Sequence, residues 1–289
     1  MTSSVNTAQE KIKEINNKYG TKNLVDMVHS FLQEESMQLN KKRIEEGRTG
    51  KFYPSSVGSC KRQATYQVLG YPEQPKEGRN ILILENGTSF HDRMEGIFER
   101  MGIMIAPELK LKDEELKISG RSDAIIYNFL KDPEAEYPDD KVIKLHAPVY
   151  DDDGNEIDQK LVYEGMASDV MIVEFKSSSH KSYENYIPKT KPDKKHEMQL
   201  QLYFYLTGIR YGLVYYENKN DQDQKYFHVS YNQKIVDEII KDIRFIIDCA
   251  EKNILPEREF QPTSFECRFC NFRDTCHPVE HDYNINDIL

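Results

Sequence analysis

The chain lacks the features that mark several classes of protein. Across its 289 residues no apolar run approaches the ~18 residues a membrane helix needs, so no span and no membrane partner is expected. The opening stretch, MTSSVNTAQEKIKEINNKYG, has none of the apolar character of a secretory leader. Basic residues are in deficit, with 39 Lys and Arg against 49 Asp and Glu, for a net charge of −10. That is the opposite of the footprint of a simple nucleic-acid binder, although it does not exclude an enzyme that gathers carboxylates around metal ions and confines its lysines to a groove. Cysteine is scarce, at five residues. Without an export signal the expected compartment is the reducing cytoplasm, where clustered thiols hold metals more often than they form disulfides. No internal repeat or low-complexity tract is present.

What the chain does have is the composition of a folded domain, with 38% hydrophobic and 30% charged residues. Residues 5–48 carry apolar side chains at broadly helical spacing. A Gly-, Pro- and Ser-rich loop follows, then a short helix beginning at Cys60 and an amphipathic helix in LENGTSFHDRMEGIFERMG, stopped by Gly102. From about residue 104 the period becomes that of strands, with two or three segments before Phe129. Residues 131–160, with ten acidic and four basic residues, read as part of a hairpin turning at Asp153-Gly154. ASDVMIVEFKSSS has the continuous apolar character of a buried central strand. A basic loop, a helix in EMQLQLYFYLTG, two strands and a long helix ending near Pro256 complete the order. The expectation is an α/β domain whose mixed central sheet is flanked by helices.

Within the central strand, Glu174 and Lys176 are two apart and so share a face. A carboxylate there can bind Mg²⁺ or Mn²⁺ through oxygen, and the lysine can orient an attacking water or offset phosphate charge. The pattern alone is weak, since Glu-x-Lys occurs four times, at 108–110, 115–117, 174–176 and 217–219. Three companions single out 174–176: Gly87-x3-His91 on a helix, Gly120-x2-Asp123 in a strand-like run, and Gln199-x3-Tyr203 one helical turn apart. Pro138-Asp139-Asp140 is a decoy by its acidic loop context.

Cys267, Cys270 and Cys276 form C-x2-C-x5-C and lack a fourth ligand, for which Cys60, Cys249, His277 and His281 are candidates. Cys249 lies inside the long helix, where a small buried apolar residue is the simpler explanation, whereas Cys60 follows a loop that can place a thiolate freely. Four thiolates suit an iron–sulfur cluster or Zn²⁺, and the absence of a second C-x2-C knuckle favours 4Fe–4S. A link from position 60 to 267 closes a long loop, which in the chain-entropy account stabilises by several kcal/mol, on the order of a covalent cross-link.

In order, G-x3-H, G-x2-D, E-x-K and Q-x3-Y, with one early cysteine and the late C-x2-C-x5-C, resemble the RecB-like branch of the PD-(D/E)XK nucleases. Within it the chain looks most like the iron–sulfur exonucleases of CRISPR adaptation (the Cas-four family), and AddB-type nucleases share the cysteine layout. The resemblance runs from about Tyr53 to His277. It implies a restriction-endonuclease-like core in residues 51–289 after a helical extension at 1–50, with an acidic hairpin inserted at about 130–168. It implies that His91, Asp123, Glu174 and the main-chain carbonyl of Phe175 bind the catalytic metal, that Lys176 is the catalytic lysine, and that Gln199 and Tyr203 position DNA or support the site. Glu95, one turn after His91, would be an outer contact or a second-metal ligand. The resemblance also places the cluster on Cys60, Cys267, Cys270 and Cys276, clipping the N- and C-terminal parts together. The implied activity is that of a metal-dependent exodeoxyribonuclease acting on single strands or DNA ends in recombination, repair or CRISPR adaptation, with a CRISPR integrase or a helicase or recombination protein as partner. Lys61, Arg62, Lys189, Lys191, Lys194 and Lys195 are the expected DNA contacts. The alternative is a non-catalytic, iron–sulfur-stapled subunit that binds DNA ends. The sequence departs from compact members in the long segment between Asp123 and Glu174, which must leave the strands bearing these residues adjacent.

Overall fold

The structure is a computed structural model, and it describes residues 2–20, 23–45, 50–137, 140–151, 153 and 156–278. In chain order the elements are α1 (Thr2–Tyr19), α2 (Leu24–Glu45), α3 (Lys61–Leu69), α4 (Gly78–Arg100), β1 (Met104–Pro107), β2 (Lys110–Asp113), β3 (Ile118–Arg121), β4 (Ala124–Tyr127), β5 (Val142–Tyr150), β6 (Glu156–Met166), β7 (Val170–Ser178), α5 (His180–Glu184), α6 (Lys194–Thr207), β8 (Tyr211–Asn218), β9 (Gln224–Ser230), α7 (Gln233–Glu251), α8 (Phe265–Arg268) and α9 (Arg273–Cys276). A 3-10 turn at Pro54–Ser56 precedes α3.

The chain forms two compact units. The smaller gathers the N-terminal helices, Pro72–Asn86 and the chain from Phe269 onward, and the larger holds Thr49–Tyr71 and Gly87–Arg268. Within the smaller unit, Gln74 N–H donates to the Asn271 carbonyl at 2.8 Å, and the Asn271 side chain donates to Glu73 at 2.8 Å. The single helix expected over 5–48 is two helices. Gly20 adopts φ +63°, which ends α1, and the Asn23 side chain accepts from Val25 N–H, which starts α2.

The larger unit is built on a five-stranded mixed sheet ordered β1-β4-β7-β8-β9. β7 lies at its centre, antiparallel to β4 and parallel to β8. Its residues 170–175 are all buried, which explains the apolar run in the sequence. Side-chain alternation then sorts the two faces. Met171, Val173 and Phe175 pack with Ala124 and Ile126 against Phe90, Met94 and Phe98 of α4. Ile125, Ile172, Val214 and Tyr216 face Leu200, Tyr203 and Phe204 of α6. α6 is covered on its other side, where Leu202 joins Ile239, Ile243, Ile246 and Ile247 of α7 and residues of α3. The architecture is mixed α/β, with a mixed central sheet and helices on both faces.

The segment between Asp123 and Glu174 carries the hairpin β5–β6, which forms its own two-stranded sheet and leaves β4 and β7 paired. The expected turn lies at Asp153, while Gly154 falls outside the described residues. Asp140 is a structural residue: its carboxylate accepts from the N–H and hydroxyl of Ser168, holding the turn into β7. Pro138 and Asp139 lie outside the described residues. Among the described residues, no helix is long and apolar enough to cross a membrane.

Candidate active site

The polar residues at the C-terminal end of β7 are brought together by three elements. β4 and β7 are in register with Ala124 opposite Val173, so one further step brings Asp123 level with Glu174. The Asp123 carboxylate accepts from Phe175 N–H at 2.7 Å, and its other oxygen lies 3.4 Å from His91 Nδ1 of α4. Gly120, three residues earlier, is required by close packing: a Cβ there would lie 2.5 Å from Pro54 Cδ. The glycine of Gly87-x3-His91 has no such constraint, since a Cβ would meet only Ser177 Oγ at 3.8 Å.

Glu174 is 1% exposed, and among the described residues one of its two oxygens is paired. Oε1 accepts from Lys176 Nζ, whereas Oε2 is buried and has no hydrogen-bond partner among the described residues. Burial pushes the Glu174 carboxyl up to about 7, with the Asp123 charge adding to that shift and Lys176 and His91 opposing it. For Lys176, burial favours the neutral amine, but Glu174 and Asp123 outweigh it and raise the group above its ordinary value. His91 behaves likewise: burial lowers it, and the hydrogen bond and charge of Asp123 raise it further than burial takes it down. Glu95, one turn further along α4, is pushed up to about 7 by burial first and then by the charges of Glu108 and Asp123.

A chain of hydrogen bonds carries the arrangement into α6. Lys176 Nζ donates to Gln199 Oε1 at 3.4 Å, Gln199 Nε2 donates to the Tyr203 hydroxyl at 2.8 Å, and that hydroxyl donates to the Arg121 carbonyl at 2.8 Å. Gln199 and Tyr203 therefore tie Lys176 on β7 to the segment that enters Asp123. Burial places the Tyr203 phenol well above its ordinary value, so it stays protonated.

Sequence reasoning passed over His196 and Tyr216. His196 lies three residues before Gln199, on the same face of α6, and its Nδ1 is 2.8 Å from the Tyr216 hydroxyl. Tyr216 stands opposite Lys176 in the parallel register of β7 and β8. The i, i+3 spacing from Gln199 was the available signal, but the value of His196 depends on Tyr216, which only the strand pairing brings near.

The expected DNA contacts divide into two groups. Lys61 pairs with Asp242 at 2.9 Å, and Arg62 donates to the Pro256 carbonyl at 2.6 Å, so both tie α3 to the region around α7. Lys189, Lys191, Lys194 and Lys195 lie on the loop before α6 and in its first turn. Lys195 Nζ donates to Ser59 Oγ at 2.7 Å, and Lys189 Nζ lies 5.1 Å from the Tyr186 ring centroid.

None of the five cysteines is in a disulfide. Cys60 and Cys267 belong to the larger unit, and Cys270 and Cys276 to the smaller. Burial is the main reason that the Cys60 thiol is pushed up to about 11. Cys249 is buried in α7, as its helical position suggested, and His281 lies outside the described residues. Among the described residues, no three His, Cys, Asp or Glu side chains are already converged as metal ligands. His91, Asp123 and Glu174 are neighbours with Lys176 held against one of the carboxylates.

No protein-family model and no curated protein matches the chain. Among solved structures it is similar to that of SSO0001, with 17% identity over 87% of this chain and 96% of that one, at a TM-score of 0.48. It is also similar to an alkaline exonuclease of Laribacter hongkongensis (LHK-Exo), with 11% identity over 72% and 91% of the two chains, at a TM-score of 0.47. The same exonuclease in complex with dAMP gives 11% identity over 71% and 90%, at 0.45. With TM-scores under 0.5, these likenesses carry no weight for the chemistry, which rests on the side chains.

Proposed function

We propose that the protein is a divalent-metal-dependent deoxyribonuclease with a PD-(D/E)XK-type site on a restriction-endonuclease-like core. One observation carries this reading: among the described residues the buried Glu174 Oε2 has no partner, beside Asp123, His91 and a fixed lysine. A buried carboxylate oxygen is costly unless something satisfies it, and a hard divalent cation does so. The donor set is also chemically suitable, with two carboxylates, an imidazole and the Phe175 carbonyl available to Mg²⁺ or Mn²⁺.

When bound, such an ion would polarise a phosphoryl oxygen and acidify a water. Glu174 and Asp123 supply the negative charge that retains the ion, and Phe175 N–H fixes the Asp123 carboxylate in place. Lys176 is charged and held by Glu174 and Gln199, so its ammonium can orient the attacking water and offset the charge that grows on the phosphate. Gln199 and Tyr203 hold that lysine rather than touch the reacting atoms. The lysines at 189, 191, 194 and 195 are the proposed contacts to the DNA backbone, which would draw a strand toward the site despite the net negative charge of the chain. Action at single strands or ends, by an exonuclease in CRISPR adaptation, recombination or repair, is the finer form of the proposal and rests on the sequence motifs. So do residues 51–289 as the nuclease domain.

The 4Fe–4S cluster on Cys60, Cys267, Cys270 and Cys276 is likewise proposed from spacing, with Zn²⁺ as the competitor. That none of these thiols is in a disulfide suits either metal. Visible absorbance near ~400 nm and iron and zinc analysis of anaerobically purified protein separate the two.

The test of the nuclease is incubation of end-labelled single- and double-stranded DNA with Mg²⁺, Mn²⁺ or EDTA. Cleavage that requires the metal and is lost in Lys176→Ala is expected, and undiminished cleavage by that variant refutes the site.

A further inference from the structure

His196 is anchored through one ring nitrogen, and among the described residues the other has no partner. The Tyr216 hydroxyl accepts from Asp193 N–H at 3.1 Å and lies 2.8 Å from His196 Nδ1. Tyr216 is fully buried, and its hydroxyl hydrogen has no acceptor among the described residues other than Nδ1. The buried O–H must therefore donate to Nδ1, which leaves the His196 proton on Nε2. Among the described residues no side chain or carbonyl receives that Nε2–H.

The surroundings are electropositive. Burial is the main cause that pushes the His196 imidazole down to about 4, and the largest charge acting on it is the Lys176 ammonium, with Lys195 adding to it and Asp193 opposing it. Burial and Lys176 lower Lys195 as well. A neutral N–H beside two ammonium groups is the equipment of an anion site. The adjoining loop is held in place rather than left free. Lys225 of β9 donates to the carbonyls of Tyr186, Ile187 and Lys189, and the Tyr186 ring stacks on Tyr216 at 4.2 Å.

We propose that His196, fixed in its Nε2–H tautomer by Tyr216, is a substrate-binding residue that donates to a non-bridging phosphate oxygen of the bound DNA strand, beside Lys176 and Lys195. The polar stripe on α6 is then His196-x2-Gln199-x3-Tyr203, with its first member meeting substrate and the other two holding Lys176. The ligand class rests on the nuclease reading, and the experiment separates the two.

Binding of a fluorescein-labelled single-stranded oligonucleotide is measured by anisotropy in EDTA, where no cleavage competes, at several salt concentrations. His196→Ala is expected to weaken binding roughly tenfold, as for loss of a hydrogen bond to a charged group. His196→Gln, whose amide can donate, should recover most of that loss, and Tyr216→Phe should fall between. The salt dependence supplies a readout that a merely structural role would not give. The slope of log affinity against log salt should be unchanged in His196→Ala, because no charge is removed, and reduced by about one in Lys195→Ala. Wild-type affinity in His196→Ala overturns the proposal, as does a loss that His196→Gln fails to rescue while melting as the wild type does. A wild type that binds the oligonucleotide through His196 but does not cut it with Mn²⁺ overturns the nuclease reading and leaves the His196 assignment standing.

Discussion

The carboxylate of Asp123 accepts a 2.7 Å hydrogen bond from the main-chain N–H of Phe175. The residue that leads into β4 thus sets the position of Phe175, the single β7 residue between Glu174 and Lys176. The long acidic segment between the two strands does not disturb this, because its hairpin forms a separate sheet and β4 and β7 pair directly.

Removing that acceptor separates fold from chemistry. Asp123→Ala leaves the Phe175 N–H without its partner and should cost about 1–3 kcal/mol of stability. Asp123→Asn keeps an acceptor oxygen and should melt closer to the wild type, yet lose cleavage by about a hundredfold or more through loss of the anionic ligand. Denaturant unfolding of both variants beside single-turnover cleavage checks the pair.

The Tyr203 hydroxyl joins Gln199 to the Arg121 carbonyl, and Tyr203→Phe breaks both contacts while keeping the ring packed. A stability loss of about 1–3 kcal/mol is expected from the two buried groups left unpaired. Because Lys176 loses its far anchor, cleavage should fall mainly in kcat, with KM little changed. Steady-state kinetics with a fluorogenic oligonucleotide gives the split.

Much of this frame could be read in the sequence and some could not. The period of two in the central strand placed Glu174 and Lys176 on one face, and the helical turn did the same for Gln199 and Tyr203. Asp123 could be matched to Glu174 only on the assumption that their strands pair, since local patterning does not set the register across a long insertion. The division into two units was not visible either, because it assembles segments distant in sequence. Tyr216 and His196 escaped notice for a similar reason. Their relation to Lys176 comes from a parallel pairing between β7 and β8, and the aromatic run RYGLVYY carries no mark of it.

His196 should make stability depend on pH in the acid range. Its folded value, about 4, lies below the ordinary histidine value of 6.5, so the unfolded chain binds the proton first as pH falls. Its contribution is fully present above about 6.5 and is lost as pH drops toward 4, in a site where Lys176, Lys195, Asp193, Tyr186 and Tyr216 are the neighbouring titratable groups. His196→Gln should flatten that part of the profile. Melting temperatures of wild type and variant between about pH 4 and 8 show the difference.

Metal binding should stabilise the folded chain in proportion to its occupancy. At a Mn²⁺ concentration about a hundred times the dissociation constant, the gain is about 2.7 kcal/mol. Wild-type protein should therefore melt at a higher temperature with Mn²⁺ than with EDTA, and Glu174→Ala should not respond. Differential scanning fluorimetry across a metal titration measures both.

The most direct test is cleavage of end-labelled DNA by the wild type, Glu174→Ala and Lys176→Ala, each with Mn²⁺ and with EDTA. Wild-type cleavage that needs the metal and disappears in both variants is the predicted result. DNA cleavage that persists in either variant, or a folded wild type that cleaves no DNA with any divalent metal, would contradict the assignment.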